Sequence, residues 1–397
     1  MRLPELQVNP ALRARLSEGH PWIYRNQIAT LPRLASGSWV RVRAGNWQGI
    51  GLWDASSPIA VRVFARATVP DRAWLGEQVR RAWELRDSVR ADDTTAWRWL
   101  FGESDGVPGI TVDLYGDFAV VQTYAESVEP LAPLVAECVR DHAPLRGVLI
   151  RRRDGEPEDD RDMEHSGKIE RLWGTWPPRD LIVREHGLQF QANLFAGQKT
   201  GLFLDHRENR LALQQFCEGK TVLNCFAYTG AFSLYAARGG AARTTSCDIA
   251  AGAIGDARVN FKLNGFDPEE HDFVAADVWE LLETYRAEGR TFDVVVLDPP
   301  SFARSRKHVE VALRAYGRLN TLAIQCVSPG GLLVSASCTS QVSPEMFRTM
   351  LAGAAARAGK RLLLIHEAGQ PVDHPVAAHF PEGRYLKFAI GRVVDAA

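Results

Sequence analysis

The chain has 397 residues, 46% hydrophobic and 24% charged, with a formal net charge of −1. That length exceeds one ordinary domain and calls for two or three, and the near-neutral balance excludes a uniformly basic nucleic-acid binder. No apolar run approaches the ~20 residues that cross a bilayer, and the first twenty residues lack the apolar core of a signal peptide, so a cytoplasmic protein without membrane association is expected.

Residues 1–66 carry nine Arg and no Lys against three acids, Glu5, Glu18 and Asp54. Arginine grips phosphate bidentately, so this end is a candidate RNA- or DNA-facing module. The whole chain, however, uses 40 Arg and seven Lys, and a GC-rich genome gives the same bias. SGSWVRVRAGNWQGIGLWD and IAVRVFA alternate apolar and polar residues between glycine turns, the pattern of a small β module. Its one helical pattern lies near Leu12–Ser17. Residues 70–90 open on proline and aspartate and place Trp74, Leu75, Val79, Ala82, Trp83 and Leu85 on one helical face. Residues 109–125 read as a hairpin about Gly116-Asp117. LAPLVAECVRDH reads as helix and GVLIRRR as strand. The acidic run 154–165, DGEPEDDRDMEH, reads as a solvated loop.

After residue 184 strands alternate with helices of ten or more residues: TVLNC, RTTSCD, HDFVAAD, FDVVVL and GGLLVSASC are strands with helical segments between them. That rhythm predicts an α/β domain with a mostly parallel, doubly wound sheet. RLLLIHEAG and RYLKFAIGRVV have no helix between them, so an antiparallel edge is expected. The division is 1–68, 69–183 and 184–397.

Such sheets bind ligands beyond the carboxyl ends of their strands. The first strand ends in NCFAYTG, where Gly230 lets a ligand approach backbone N–H groups. The second ends in Asp248, which suits ribose hydroxyls or a helix cap equally well. The third ends in Asp277, placed for an adenine amine. The fourth ends in LDPPSF; its two prolines can continue neither strand nor helix and hold Asp298 toward the cleft, with Phe302 near a flat heterocycle. Cys338 closes the fifth. Neighbouring strands lie about 5 Å apart, so Asp298 and Cys338 would share one site. A single cysteine is more often a small buried hydrophobe. The six cysteines form no CxxC pair, so neither zinc, nor any other metal, nor a disulfide framework is expected.

Taken together, VLNCFAYTGAFSLYAARGGA, VLDPPSF and GGLLVSASC resemble the class I S-adenosylmethionine-dependent methyltransferases. NLFAGQKTGLFLDHRENR (193–210) resembles more narrowly the RlmI-type 23S ribosomal RNA cytosine-C5 methyltransferases. LSEGHPWIYRNQI and GSWVRVRAGNWQGIGLWD look like that family's N-terminal PUA RNA-binding domain. The resemblance covers nearly the whole chain and implies a Rossmann-like sheet with an antiparallel last strand, preceded by a β-rich PUA-like domain and an α+β middle domain.

The resemblance further implies S-adenosylmethionine as cofactor. Asn224, Phe226, Tyr228 and Gly230 would form its loop, Asp248 with Ile249 would hold the ribose side and Asp277 with Val278 the adenine. Asp298 and Pro299 would complete the site, and Phe203, Asp205 and Arg207 would cover it. Lys199, Thr200, Pro300, Phe302, Arg304, Arg306 and Lys307 would face RNA. Cys338 would add to C6 of a cytosine and Asp298 would stabilise charge at N3, with a water or Asp298 removing the C5 proton. The target base would be flipped out or single-stranded, and a homodimer is open. Two departures stand out. Asn224 replaces the acid that often leads the cofactor loop, and proline follows the strand-four acid where many RNA cytosine-C5 enzymes carry a second cysteine. An rRNA guanine N-methyltransferase would share the DPP segment without needing Cys338. A non-catalytic RNA-binding ribosome-assembly factor would need neither.

Overall fold

The computed structural model describes residues 3–152, 169–195, 197, 199–303 and 308–396. The acidic run 154–165 and the candidate phosphate contacts Arg304, Arg306 and Lys307 lie outside the described residues. The chain forms two compact units. One comprises Met1–Leu188, Ala192–Leu204 and Val372–Gly383, the other Gln189–Gln191, Asp205–Pro371 and Arg384–Ala397.

The first unit contains two five-stranded sheets. Strands β1 (Glu5–Gln7), β2 (Trp22–Tyr24), β3 (Trp39–Ala44), β4 (Trp47–Trp53) and β5 (Ile59–Ala65) pair in the order β1-β3-β4-β5-β2, with helix α1 (Arg13–Glu18) after β1. Their inward residues, among them Ile23, Val40, Val42 and Val61, are fully buried in one cluster. Helix α2 (Arg72–Leu85) starts where Asp71 accepts the Trp74 N–H at 2.8 Å, a cap of the kind worth about 1 kcal/mol. Strands β6 (Ala96–Phe101), β7 (Ile110–Tyr115) and β8 (Phe118–Thr123) form a meander, the last two around the expected Gly116-Asp117 turn. Helix α3 (Ala132–His142) then crosses to β9 (Gly147–Arg151), which pairs parallel to β8 and antiparallel to β10 (Ile169–Gly174). Leu75 and Val79 of α2 and Val135 and Val139 of α3 bury against this sheet. Strands β11 (Ile182–Glu185) and β12 (Leu188–Gln191) follow, and within β12 the chain passes into the second unit.

The second unit is a seven-stranded sheet with helices. In chain order it contains α4 (Arg207–Gln214), β13 (Thr221–Cys225), α5 (Ala231–Arg238), β14 (Arg243–Asp248), α6 (Ala251–Leu263), β15 (Asp272–Ala275), α7 (Val278–Glu288), β16 (Phe292–Leu297), α8 (Val309–Gln325), β17 (Val327–Ser337), α9 (Pro344–Arg357), β18 (Lys360–Ala368) and β19 (Lys387–Asp395). The sheet order is β15-β14-β13-β16-β17-β19-β18, and the first five strands are parallel. Alternate residues of β16 feed opposite cores: Val295 and Leu297 join one cluster, Val294 and Val296 the other. That two-sided burial is why the strand reads as an unbroken apolar run.

The last strand is antiparallel, as expected, but it is not an edge. It inserts between β17 and β18 and pairs antiparallel with both. Burial explains the placement. Lys387 to Gly391 are buried throughout and need neighbours on both sides, whereas β18 leaves Leu363 and Ile365 nearly half exposed. The crossover through α9 leaves one strand width beside β17, and β19 fills it.

Candidate functional site

The parallel strands end together, and their turns build the site. After β13 the backbone turns through two non-glycine residues in the left-handed region, Phe226 (φ +59°) and Tyr228 (φ +46°). Such residues cost about 1–2 kcal/mol each. The turn is fastened from β14: the Ala227 N–H donates to the Cys247 carbonyl at 2.9 Å, and the Tyr228 N–H donates to Asp248 Oδ2 at 2.8 Å. Gly230 then opens α5 at φ +75°, and a Cβ there would lie 2.8 Å from the Ala257 Cβ of α6. No other residue fits that approach. Asn224, 1% exposed, donates from Nδ2 to Ser233 Oγ at 3.0 Å, and its Oδ1 is buried without a partner.

Asp248 uses both oxygens on backbone, since Oδ1 accepts the Ala250 N–H at 3.0 Å. A carboxylate oxygen has two acceptor directions, so each retains one for a ligand hydroxyl. Ile249 beside it is 69% exposed, an apolar surface next to a half-buried acid. Asp277 caps α7, its Oδ1 accepting the Trp279 and Glu280 N–H groups at 2.7 and 3.2 Å. Val278 is 3% exposed and belongs to the core, so its side chain is not a cleft surface.

Strands β16 and β17 are adjacent, with Leu297 opposite Ser335, which brings the turn after β16 and the end of β17 to one place. Pro299 is buried and Pro300 exposed. Beyond them Ser301 Oγ lies 2.9 Å from Thr339 Oγ1, and the Tyr316 hydroxyl lies 2.8 Å from that same oxygen. These bonds clamp the proline turn to the residue that follows Cys338. Phe302 packs at 4.6 Å, tilted by 42°, against the Tyr316 ring and against the core, so it braces the turn and does not face the cleft as an open platform.

Three residues not singled out in the sequence complete this end. His206 Nε2 lies 3.3 Å from Asp298 Oδ1. Asn209 Nδ2 donates to the Gly369 carbonyl at 3.2 Å and lies 3.0 Å from His206 Nδ1. A carbonyl only accepts, so that atom is the amide nitrogen and Nδ1 is its acceptor. The proton of the neutral ring is therefore on Nε2, directed at Asp298. Lys387, 3% exposed, pairs in register with Ser337 and donates from Nζ to the Thr339 and Tyr385 carbonyls at 2.5 and 2.7 Å. Burial pushes its ammonium down to about 8.

Cys338 is partly exposed, whereas the other five cysteines are buried. Burial pushes the thiols of Cys217 and Cys247 up to about 12 and that of Cys326 up to about 11, leaving them protonated. Only Cys338 stands at a strand end within reach of solvent.

The segment 199–207 divides. Lys199, Thr200 and Phe203 belong to the first unit, Asp205 and Arg207 to the second. Thr200 is 1% exposed; its hydroxyl donates to Asp113 at 2.6 Å and meets the Tyr115 hydroxyl at 2.8 Å, so it anchors its own loop on β7. The Lys199 ammonium sits over the Phe203 ring at 4.3 Å. Asp205 accepts the Tyr385 hydroxyl at 2.6 Å, and Arg207 is buried with its Nε donating to Glu208 at 3.1 Å. A separate cavity of about 820 Å³, lined by Arg286, Arg318, Met346 and Arg357 of α7–α9, shares no residue with the strand ends.

Residues 166–379 match a family model described as S-adenosylmethionine-dependent methyltransferase, and residues 6–66 match a PUA-like domain. A protein named ribosomal RNA large subunit methyltransferase I from Shewanella denitrificans is 36% identical, covering 98% of this chain and 99% of its own. A protein of the same name from Salmonella paratyphi B is 34% identical, covering 98% of each. The chain belongs to this family of S-adenosylmethionine-dependent methyltransferases. Among solved structures, a candidate SAM-dependent methyltransferase from Streptococcus mutans superposes with a TM-score of 0.86 at 23% identity, covering 98% of this chain and 100% of its own. The SMU.776 candidate methyltransferase, solved with SAH, gives 0.87 at 23% with the same coverage. These two establish the shared fold. The cofactor of this methyltransferase is S-adenosylmethionine, and the site fits a nucleoside of that kind: an acid with spare acceptor directions, an exposed apolar neighbour and a glycine-opened helix start. Among the described residues no helix is long and apolar enough to cross a membrane.

Proposed function

We propose that this methyltransferase modifies C5 of a cytosine in 23S ribosomal RNA through a covalent adduct between Cys338 and C6. The relatives' names support ribosomal RNA as substrate. The PUA-like match at residues 6–66, over the Arg-rich end of the chain, supports an RNA-facing module. We further propose 1–68, 69–183 and 184–397 as the functional division, and the cytoplasm as the place of action.

The observation that carries the cytosine reading is the placement of Cys338. It is the partly exposed thiol of six, at the end of the strand beside the Asp298 turn. Bound S-adenosylmethionine supplies an electrophilic methyl group on its sulfonium. The loop Asn224, Phe226, Tyr228 and Gly230 would hold it, with Asp248 on the ribose hydroxyls, Ile249 against the adenine face and Asp277 toward the adenine amine. Asp298 and Pro299 would close the same cleft. Asp205, which accepts the Tyr385 hydroxyl, and Arg207 would help cover the cofactor. Pro300 lies on the side open to RNA, and Lys199 carries its charge on the exposed loop of the first unit.

Cytosine C5 is a weak carbon nucleophile. Addition of the Cys338 thiolate to C6 opens the C5–C6 double bond and places electron density on C5. Asp298, facing the Nε2 proton of His206, shares a proton with N3 and takes up the charge that develops there. C5 would then take the methyl group, and loss of its proton to a water or to Asp298 would reform the C5–C6 double bond and expel the thiolate. A duplex hides both carbons, so the base is taken flipped or single-stranded.

The test is the identity of the modified nucleoside. The full chain is incubated with labelled S-adenosylmethionine and unmodified large-subunit rRNA, which is digested and resolved by mass. Label in 5-methylcytidine is expected. Label in a methylguanosine would overturn the reading and return Cys338 to a packing residue.

A further inference from the structure

Covalent addition needs a thiolate, and a free cysteine near 8.5 is mostly neutral at physiological pH. Arg304, Arg306 and Lys307, expected to face RNA, lie outside the described residues. Within them, the cation built against the end of β17 is Lys387.

Its placement is unusual for a lysine, a residue almost never fully buried unless paired. The side chain enters from β19, the antiparallel strand that fills the gap beside β17, and its Nζ reaches past Ser337 to the carbonyl of Thr339. The second carbonyl, of Tyr385, comes from its own approach to β19. An ammonium has three donors, and these two carbonyls take two of them. Cys338 lies between the register partner Ser337 and the bonded Thr339, and a thiolate there favours the charged form of the lysine. Among the described residues, three further groups bear on the pair. Arg384 opposes the charge on Lys387. Tyr316 approaches from α8 through Thr339 Oγ1, and burial keeps its phenol protonated. Asp205 is held at one remove by the Tyr385 hydroxyl.

We propose that Lys387 is the general base of the Cys338 nucleophile, its amine taking the thiol proton as sulfur attacks and returning it when sulfur leaves. In the forward step the S–H bond breaks, an N–H bond forms on Nζ, and the sulfur electron pair makes the S–C6 bond. In the return step the C6–S bond breaks, the pair goes back to sulfur, and the ammonium returns the proton. The two carbonyls hold Nζ in place through both steps. An amine titrating near 8 suits this exchange, because it gains and loses a proton close to the range in which a thiol does.

The inference rests on the nucleophile reading above, and its test needs no RNA, so the two can fail separately. The full chain is treated with iodoacetamide across pH 5–10, and modification of the Cys338 peptide is followed by mass spectrometry. The wild-type profile is expected to have two inflections, the signature of a coupled pair. Lys387→Met is expected to move the alkylation midpoint up by about one pH unit, a tenfold slower reaction near neutrality, with native melting. Lys387→Arg, a fixed charge, is expected to restore a low midpoint with a single inflection. A Lys387→Met protein that melts normally and keeps the wild-type profile overturns the proposal. Should Lys387→Met fail to fold, Lys387→Arg decides, and a profile identical to wild type overturns it equally. Altered alkylation with label in methylguanosine would leave the pair intact and sink only the cytosine reading.

Discussion

Replacing Asp248 by alanine separates two tasks that one carboxylate performs. Its oxygens accept the Tyr228 and Ala250 amides at 2.8 and 3.0 Å. Hydrogen bonds to a charged group contribute about 1.5–3 kcal/mol each, and Asp248 is only half-buried, so the lower figure applies. The Tyr228 bond also holds the turn in which Phe226 and Tyr228 adopt positive φ. Losing the anchor lets that turn relax, which recovers part of the cost and removes the geometry a ligand needs. The expected loss of unfolding free energy is about 2–3 kcal/mol. Affinity for S-adenosylmethionine should fall about 10- to 100-fold, the equivalent of one or two hydroxyl bonds to the carboxylate. Asp248→Asn keeps the shape and one acceptor and should fall between. Urea denaturation followed by circular dichroism gives the first quantity and calorimetric titration the second. A folded Asp248→Ala protein with wild-type affinity would refute the ribose assignment. An unchanged urea midpoint would refute the anchoring argument.

Three further outcomes are expected. Gly230→Ala combines a left-handed φ of +75° with a 2.8 Å methyl contact and should destabilise by about 2–4 kcal/mol; adding Ala257→Gly should recover the contact part in a double-mutant cycle, and no recovery would show that the contact is not the cause. Cys338→Ala should abolish methyl transfer while leaving cofactor affinity within about twofold, and normal turnover would end the covalent mechanism. Lys387 sets a pH dependence: its amine releases a proton near 8 when folded and near 10.4 when unfolded. The unfolded chain binds more protons between those values, so the penalty of the buried ammonium is fully present below pH 8 and is relieved as pH rises toward 10.4, by about 3 kcal/mol in all. Denaturation measured at pH 8 and 10 should show that rise in wild type and its absence in Lys387→Met.

What was legible was whatever is local. FDVVVL reads as a buried parallel strand because both faces are covered, and acids just past such strands mark the ligand end of the sheet. The place of β19 was not legible, since its hydrogen-bond partners are a choice among distant segments; nothing in RYLKFAIGRVV says that it will insert between two strands. His206 and Lys387 were missed for the same reason. Asn209, which sets the histidine tautomer, sits one turn away, but the Gly369 carbonyl that orients Asn209 is 160 residues on. Lys387 gains meaning only from its register opposite Ser337. Phe302 and Val278 show the opposite error. An aromatic in a loop and a valine after an acid look like ligand surfaces, yet one braces Tyr316 and the other is the first residue of a helix that must bury its apolar face.

The acids of the site share one arrangement that bears on why they can act. Asp248 fastens two backbone amides, Asp277 caps α7, and Asp298 meets a histidine whose tautomer is fixed by a third residue. Each carboxylate is thus immobilised by partners that leave other acceptor directions open. Cys338 is treated likewise through its neighbours. The Thr339 amide donates to Ser337 Oγ at 3.3 Å, its hydroxyl joins Ser301 and Tyr316, and its carbonyl takes Lys387. The backbone that carries the thiol is held on both sides, while Cys338 is the one cysteine left partly exposed. Groups fixed before a ligand arrives lose little further freedom when it binds, which is how positioning lowers a barrier. The same fixity explains why the turn after β13 tolerates two strained residues: the strain is borne by hydrogen bonds from β14, so the energy that binding would otherwise spend on ordering the loop has been supplied by folding.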